Sequence, residues 1–241
     1  MLELKNEKCT GCEACTNICE YDAIQMHRNK EGFLYPIIDY EKCIKCNKCQ
    51  SVCPLNKNIK GSSDSDIEVY AMKSKNKELR IHSTSGGAFS ELAQIILNDG
   101  GSVAGAVYKQ DWSVKHKLIG DINQLELLRR SKYQQSEIGL LYREIETKLN
   151  NNFKVLFCGA PCQAAGLKCY LNKDYDNLYI CDFICRGVPS PGLFQAYLKY
   201  LKEIYGSEIT SVWMKNKRNG WHSLTTVISF LDGNEYVKDG L

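Results

Sequence analysis

The sequence predicts two structural units in series, a small α+β unit followed by a larger α/β unit. Three observations support this division. Eight of the thirteen cysteines fall within residues 1–57, where they form two copies of one motif. Residues 58–66 are small and polar and lack hydrophobic periodicity, which predicts a linker. In residues 67–241, short β-rich segments alternate with amphipathic segments, the pattern of an α/β layer fold.

The composition is typical of a globular protein and excludes several other classes. Hydrophobic residues make up 44% and charged residues 24% of the chain. A net charge of +3 is too small to indicate binding to nucleic acid or to an anionic membrane surface. No apolar stretch approaches the ~20 residues of a membrane-spanning helix. No apolar signal segment precedes the cysteines, and an odd number of them does not fit a secreted disulfide framework. Together these features predict a reducing, cytoplasmic location.

The cysteines of the first unit predict two [4Fe–4S] clusters. Two runs share the spacing Cys-x2-Cys-x2-Cys-x3-Cys, and they comprise Cys9, Cys12, Cys15 and Cys19, and then Cys43, Cys46, Cys49 and Cys53. The first three thiolates of such a run bind one cubane cluster, and the fourth reaches the other cluster. The predicted ligand sets are therefore Cys9, Cys12, Cys15 and Cys53 for one cluster, and Cys43, Cys46, Cys49 and Cys19 for the other. Two zinc knuckles with the same cysteines are the alternative. A zinc site needs only four thiolates, so zinc binding would not call for two runs whose fourth cysteines are exchanged.

Local patterns predict the elements of both units. In the first unit, strands over 23–26 and 33–38 form a hairpin around Glu31 and Gly32. Further strands are predicted over 69–72, 103–108, 154–157, 178–184, 212–214 and 224–230. Helices are predicted over 87–98, 121–128, 137–149, 162–171 and 190–205.

Two of these helices have further sequence signals. The helix over 87–98 is expected to bury Phe89, Leu92, Ile95 and Ile96 on one face. Ser190 and Pro191 provide a cap and a first-turn proline for the helix over 190–205, and Gly206 ends it.

The second unit lacks the GxGxxG, P-loop, GxSxG and HExxH motifs, but four other segments lie where ligands bind. Ser85-Gly86-Gly87 precedes a helix whose N–H groups and dipole favour a phosphate, although a plain helix cap has the same pattern. The loop 131–136 suits a phosphate or a ring, or is a solvated surface loop. Segments 157–163 and 181–191 each follow a strand, and ligands of open α/β sheets bind at the carboxyl ends of strands.

Together these segments resemble the family named after the β subunit of coenzyme F420-reducing hydrogenase and formate dehydrogenase, in its ferredoxin-fused form. The matching residues are Ser85, Gly86 and Gly87, Lys132, Tyr133, Gln135 and Ser136, Gly159, Ala160, Pro161, Cys162 and Gln163, and the segment 185–191. Residues 1–57 resemble the bacterial two-[4Fe–4S] ferredoxins. The chain departs from these patterns at Arg186, where the family commonly has histidine, and at Glu20, where the cysteine motif often has proline.

The resemblance implies an α/β flavin-binding domain over 67–241. In such a domain, FAD exchanges a hydride with a soluble carrier or substrate and single electrons with iron–sulfur clusters. We expect Ser85, Gly86 and Gly87 to hold the FAD diphosphate, with Lys132 adding a positive charge, and residues 159–163 to pack along the isoalloxazine. F420, NAD(P)H, reduced ferredoxin or a sugar-linked substrate are all compatible partners, as is a redox partner protein. No catalytic acid or base is predicted.

The resemblance also implies a further C-terminal segment with another cysteine pair, so we expect the flavin domain to be incomplete at Leu241. Three interpretations of the remaining cysteines stay open. Cys158, Cys162, Cys181 and Cys185 hold a third cluster by themselves, or Cys162 and Cys185 hold one with cysteines of the further segment. Otherwise Cys158, Cys169 and Cys181 are buried small hydrophobic residues. The alternative function is a ferredoxin-type electron carrier whose second unit is a non-catalytic docking domain.

Overall fold

The first unit is built on its two cysteine loops. A computed structural model describes residues 8–57 and 67–240, so the predicted linker over 58–66 lies outside the described residues. Each loop leads into a short helix, α1 (Ala14–Ile18) or α2 (Lys48–Ser51). Strands β1 (Ile24–Arg28) and β2 (Leu34–Ile38) pair antiparallel, which confirms the predicted hairpin.

The second unit contains six further helices and eight further strands among the described residues. The helices are α3 (Lys77–Ile81), α4 (Ala88–Asn98), α5 (Leu125–Leu128), α6 (Leu141–Asn150), α7 (Pro161–Leu171) and α8 (Pro191–Tyr205). The strands are β3 (Ser102–Tyr108), β4 (Val114–Ile119), β5 (Ser136–Glu137), β6 (Val155–Cys158), β7 (Leu178–Cys181), β8 (Ile209–Asn216), β9 (Thr225–Phe230) and β10 (Glu235–Lys238).

A five-stranded sheet forms the centre of the second unit, in the order β5-β4-β3-β6-β7. Strands β3, β6 and β7 run parallel, whereas β4 runs antiparallel to β3. Successive residues of β6 point to opposite faces of the sheet. Phe157 packs with α6 and α7 on one face, and Leu156 packs with α4 and α5 on the other. The mixed α/β architecture agrees with the fold class predicted from the sequence.

A second, three-stranded antiparallel sheet packs against α8. Its order is β10-β9-β8, and its core includes Leu198, Ile228 and Phe230. The Ser190 hydroxyl accepts a hydrogen bond from the Leu193 N–H at 3.0 Å, and Gly206 takes the left-handed conformation that ends the helix. The predicted boundaries of this helix are therefore confirmed.

The first unit packs against the side of the large sheet that carries α6 and α7. Ala14 and Val52 are buried in the same core as Ile145 and Leu167. In residues 8–57 and 67–240, no helix is both long enough and apolar enough to cross a bilayer.

Several predicted elements differ from the structure. The strand predicted over 69–72 is wrong, since this segment forms no strand and the side chain of Val69 is 90% exposed. Leu92 and Ile95 are exposed rather than buried, because α4 turns Ser90, Ala93, Ile96 and Leu97 toward the sheet. The sequence analysis did not identify β4, in which Lys115 and Lys117 occupy alternate positions.

Boundaries of other elements also differ. Helix α6 begins at Leu141 rather than at 137, because Ser136 and Glu137 pair with β4 and Glu137 forms ion pairs with Arg28 and Lys109. Strand β7 ends at Cys181 instead of continuing to 184.

Leu167 provides a test of this core. Its side chain is fully buried between the sheet and the first unit. We expect Leu167→Ala to lower the free energy of unfolding by about 2–5 kcal/mol, because the truncation loses apolar burial and leaves a cavity. Denaturant unfolding under anaerobic conditions measures the change. Lys168→Ala is the matched control on the exposed side of α7, and an equal loss in that variant would contradict this packing.

Candidate iron–sulfur centres and an adjoining ligand site

The two cysteine loops share an unusual backbone conformation. Gly11 and Glu13 in the first loop have positive φ angles of 65° and 61°, and the equivalent residues Lys45 and Asn47 have 59° and 61°. Left-handed residues in such loops turn successive N–H groups toward a common centre. The Gly11 N–H is 3.5 Å from the sulfur of Cys9. The sequence repeat is therefore also a structural repeat that directs N–H groups at thiolates.

The Cys9, Cys12 and Cys15 thiols lie near one another, Cys53 lies near Cys9 and Cys12, and Cys19, Cys43, Cys46 and Cys49 line one pocket. Burial, with smaller contributions from the nearby Cys9 and Cys53 thiols, raises the pKa of Cys12 to about 12. Burial raises the pKa of Cys15 in the same way, with contributions from Cys12 and Cys9. Iron would bind these thiols as thiolates, with release of their protons. The role of each cysteine as a ligand stays a prediction.

The second set lines a pocket of the first unit. The pocket is formed by Cys19, Cys43, Cys46 and Cys49 together with Tyr21, Ala23, Ile24, Ile38 and Ile44. Cys46 is exposed to solvent, whereas Cys49 is buried. In the described residues, no three His, Cys, Asp or Glu side chains converge on a single ion position. A cubane differs from a single ion because its four thiolates bind four separate irons.

The first cysteine loop lies directly against helix α7. A Cβ atom on Gly166 would be 3.0 Å from the Cβ and 3.1 Å from the sulfur of Cys12. The Tyr142 hydroxyl is 2.9 Å from the carbonyl oxygen of Cys12 and 2.9 Å from that of Gln163. Glycine at position 166 therefore allows the helix to approach a predicted cluster ligand closely.

Polar contacts also join the first unit to the start of α6. The Glu13 carboxylate accepts hydrogen bonds from the N–H groups of Ile138 and Gly139 at 2.7 and 2.9 Å. Burial raises the pKa of Glu13 to about 7, although these two hydrogen bonds favour the charged form. Arg143 donates to the carbonyl oxygens of Asn17 and Cys19, both at 2.6 Å. The first cysteine run is thus held against the second unit.

Cys162 lies where the two units meet. Its thiol interacts with Thr10, the nearby Cys185 thiol adds to the raised pKa of Cys162, and Cys162 in turn adds to the raised pKa of Cys12. Burial is the larger cause of the raised pKa of Cys162. Cys185 is exposed in the segment that follows β7.

A group of basic and aromatic side chains lies near the carboxyl ends of β3 and β6. We call Tyr108, Arg130, Lys132 and Trp213 the basic–aromatic cluster. The Arg130 guanidinium is 3.9 Å from the Trp213 ring centre, and the Lys132 ammonium is 5.7 Å from that of Tyr108. Burial lowers the pKa of Lys132 to about 8, and the Arg130 charge adds to this effect.

Three polar atoms of the basic–aromatic cluster are buried without a hydrogen-bond partner among the described residues. They are the Tyr108 hydroxyl, the Arg130 Nε and the Trp213 Nε1. The Arg130 guanidinium also pairs with Glu126, and the Lys132 ammonium donates to the carbonyl oxygens of Arg129 and Arg130. Buried donors are normally satisfied, so the three unpaired atoms are features that fit a polar ligand with an aromatic ring.

The predicted Ser85 segment lies beside this cluster. The Ser131 N–H donates to the Thr84 hydroxyl at 2.9 Å, and the Lys217 ammonium donates to the Ser85 carbonyl oxygen at 3.0 Å. A Cβ atom on Gly86 would be 2.7 Å from the carbonyl oxygen of Met72, so this glycine is also required for packing. Gly87 has a φ of 93° at the start of α4.

Other predicted site residues make contacts within the protein. The Gln135 side chain accepts from the Leu34 N–H at 2.6 Å, and the Ser136 hydroxyl is 2.7 Å from His116 Nδ1. The Gln163 side chain accepts from the Ala160 N–H at 3.0 Å and donates to the Ser136 carbonyl oxygen at 3.1 Å.

The remaining three predicted residues are Tyr133, Gly159 and Pro161. Gly159 faces the Phe157 ring, to which an added Cβ would approach within 2.8 Å. Pro161 begins α7, and Tyr133 has the Lys215 ammonium 5.0 Å from its ring centre.

The sequence analysis missed four residues that the structure places at these sites, namely Tyr108, Arg130, Trp213 and Gly166. Tyr108 ends a parallel strand of an open α/β sheet, which is a signal for ligand proximity. Gly166 lies inside a helix, where glycine often marks close packing. Arg130 and Trp213 come together only through tertiary contact, which no local pattern indicates.

Comparisons with known proteins identify the first unit. Two models of a 4Fe-4S dicluster domain match the chain, over residues 8–57 and 35–85. No curated protein matches this chain.

Among solved structures, this chain is similar to a chain of the F420-reducing [NiFe] hydrogenase complex from Methanosarcina barkeri, with 17% sequence identity and a TM-score of 0.48. The match covers 70% of this chain and 60% of the hydrogenase chain, and similarity at this level supports no functional inference. The domain models show that the N-terminal part of the chain is an iron–sulfur, ferredoxin-like electron-transfer domain that carries two [4Fe–4S] clusters.

Proposed function

We propose that this chain is an iron–sulfur flavoprotein oxidoreductase module that passes electrons between its two clusters and FAD bound to the second unit. The observation that carries the proposal is the contact of Cys12 with α7 at Gly166. This contact gives the cluster nearest the second unit a short path into the α/β fold. The motif resemblance supplies the identity of the flavin and the class of reaction.

Within this proposal, the crossed ligand sets give the two clusters different roles. Cluster one, held by Cys9, Cys12, Cys15 and Cys53, adjoins the second unit and exchanges electrons with FAD. Cluster two is held by Cys19, Cys43, Cys46 and Cys49. Because its ligand Cys46 is exposed to solvent, this cluster exchanges electrons with a redox partner protein.

The basic–aromatic cluster and the neighbouring Ser85 segment would hold the flavin. Arg130 and Lys132 would compensate the phosphate charges, while the unpaired donors of Tyr108 and Trp213 would bind polar atoms of the ligand. When bound, FAD supplies the exchange of a hydride for single electrons, and the protein contributes position and charge. A soluble hydride carrier or substrate is the other reactant.

A ferredoxin-type carrier with a docking domain remains a second candidate function. The observation that favours it is that Gln135, Ser136 and Gln163 make hydrogen bonds within the protein. If the chain is such a carrier, the hydrogen bonds of these three residues stabilise the second unit, and no flavin is bound.

Titration with FAD distinguishes the two candidates. We expect the anaerobically purified chain to bind FAD and Lys132→Met to bind it about tenfold more weakly, because a lost charge-assisted hydrogen bond of ~1.4 kcal/mol corresponds to that factor. Quenching of flavin fluorescence measures the affinity. Lys115→Met is the matched control, since Lys115 is exposed on β4. A wild-type chain that carries its clusters and fails to bind FAD would favour the carrier.

Gly166 tests the position of cluster one. We expect Gly166→Ala to accelerate the release of about half of the iron to a chelator, because the added Cβ presses on the Cys12 sulfur. Gly105→Ala is the control, since its Cβ would make an ordinary 3.5 Å contact with Leu128. Equal iron release from both variants and wild type would place cluster one away from α7.

A further inference from the structure

Cys158 and Cys181 lie side by side at the carboxyl ends of two parallel strands. They are directly opposite each other in the ladder between β6 and β7. Adjacent strands are separated by about 4.8 Å, which lies inside the range of ~4.4–6.8 Å between the Cα atoms of a disulfide. Neither residue belongs to the eight cysteines of the first unit.

The two thiols also interact with each other. The neighbouring Cys158 thiol lowers the pKa of Cys181, and Cys181 in turn raises the pKa of Cys158. Both residues are partly exposed, so small thiols and disulfides can reach them. The Lys132 ammonium is close enough to Cys158 to favour negative charge on it. A thiolate beside a second thiol is the arrangement that forms and breaks disulfides.

We propose that Cys158 and Cys181 form a reversible disulfide that acts as a two-electron redox couple with the two clusters. In the reductive direction, each reduced cluster gives one electron. The S–S bond breaks, each sulfur takes up one proton from solvent, and both clusters end one electron more oxidised. The reverse reaction forms the S–S bond, releases two protons and reduces both clusters by one electron each. This couple requires the clusters but not FAD.

The fold separates this pair from the other two cysteines nearby. Cys158 and Cys181 are in strands, whereas Cys162 is in the first turn of α7 and Cys185 is in the exposed segment after β7. Cys162 interacts with Thr10 and Cys185. A third cluster held by all four cysteines is therefore a distinct outcome of the test below.

Peptide mapping tests the disulfide directly. The anaerobic chain is equilibrated in oxidised or reduced glutathione, alkylated and digested with trypsin. Cleavage after Lys154, Lys168, Lys173 and Arg186 gives peptides 155–168 and 174–186, and chymotrypsin then cuts after Phe183, between Cys181 and Cys185. We expect the oxidised sample to contain a cross-link between Cys158 and Cys181, and the reduced sample to lack it.

Serine variants and electron counting complete the test. Cys158→Ser and Cys181→Ser should lose the cross-link, keep all their iron and accept about two fewer electrons per oxidised chain in a reductive titration. Cys169→Ser, a buried cysteine of α7, should behave like wild type. Loss of about four irons from Cys158→Ser would show a third cluster and overturn the proposal. Absence of the cross-link in the oxidised wild type would overturn it as well.

Discussion

The close approach of Cys12 to helix α7 is the constraint on which the relation between the two units depends. Glycine at position 166 favours it, because an added Cβ would lie 3.0 Å from the Cβ of Cys12 and would press on this predicted cluster ligand. The Tyr142 hydroxyl and the Glu13 carboxylate complete this contact with buried hydrogen bonds to the backbone. Buried polar groups of this kind are costly when unpaired, so these bonds also specify one arrangement of the units.

This arrangement gives the two cysteine sets different surroundings. The set that includes Cys12 faces the core of the second unit, whereas the set that includes Cys46 lies near solvent. Both use the same left-handed loop conformation, so the difference arises from packing and not from the local sequence. In the proposed function, this asymmetry orders electron flow from a surface partner through both clusters to the α/β unit.

Sequence reasoning predicted the features that depend on local spacing. It gave the two clusters, the hairpin, most elements of the α/β unit and both ends of α8, because cysteine spacing, capping residues and hydrophobic periodicity act over a few residues. It failed at 69–72, where an apolar segment remains exposed and its last residue, Met72, lies against Gly86. It also missed the pairing of Arg130 with Trp213, since this contact joins distant segments.

The most direct test of electron transfer from cluster one to the second unit is to reduce the clusters anaerobically and then to measure the absorption of FAD bound to the same chain over time. With cluster one beside the second unit, bound FAD should bleach in one phase whose rate does not depend on protein concentration, and Cys53→Ser should slow that phase. A rate that rises in proportion to protein concentration would mean that electrons pass between chains. That result would contradict a path from cluster one to the α/β unit through the contact at Cys12.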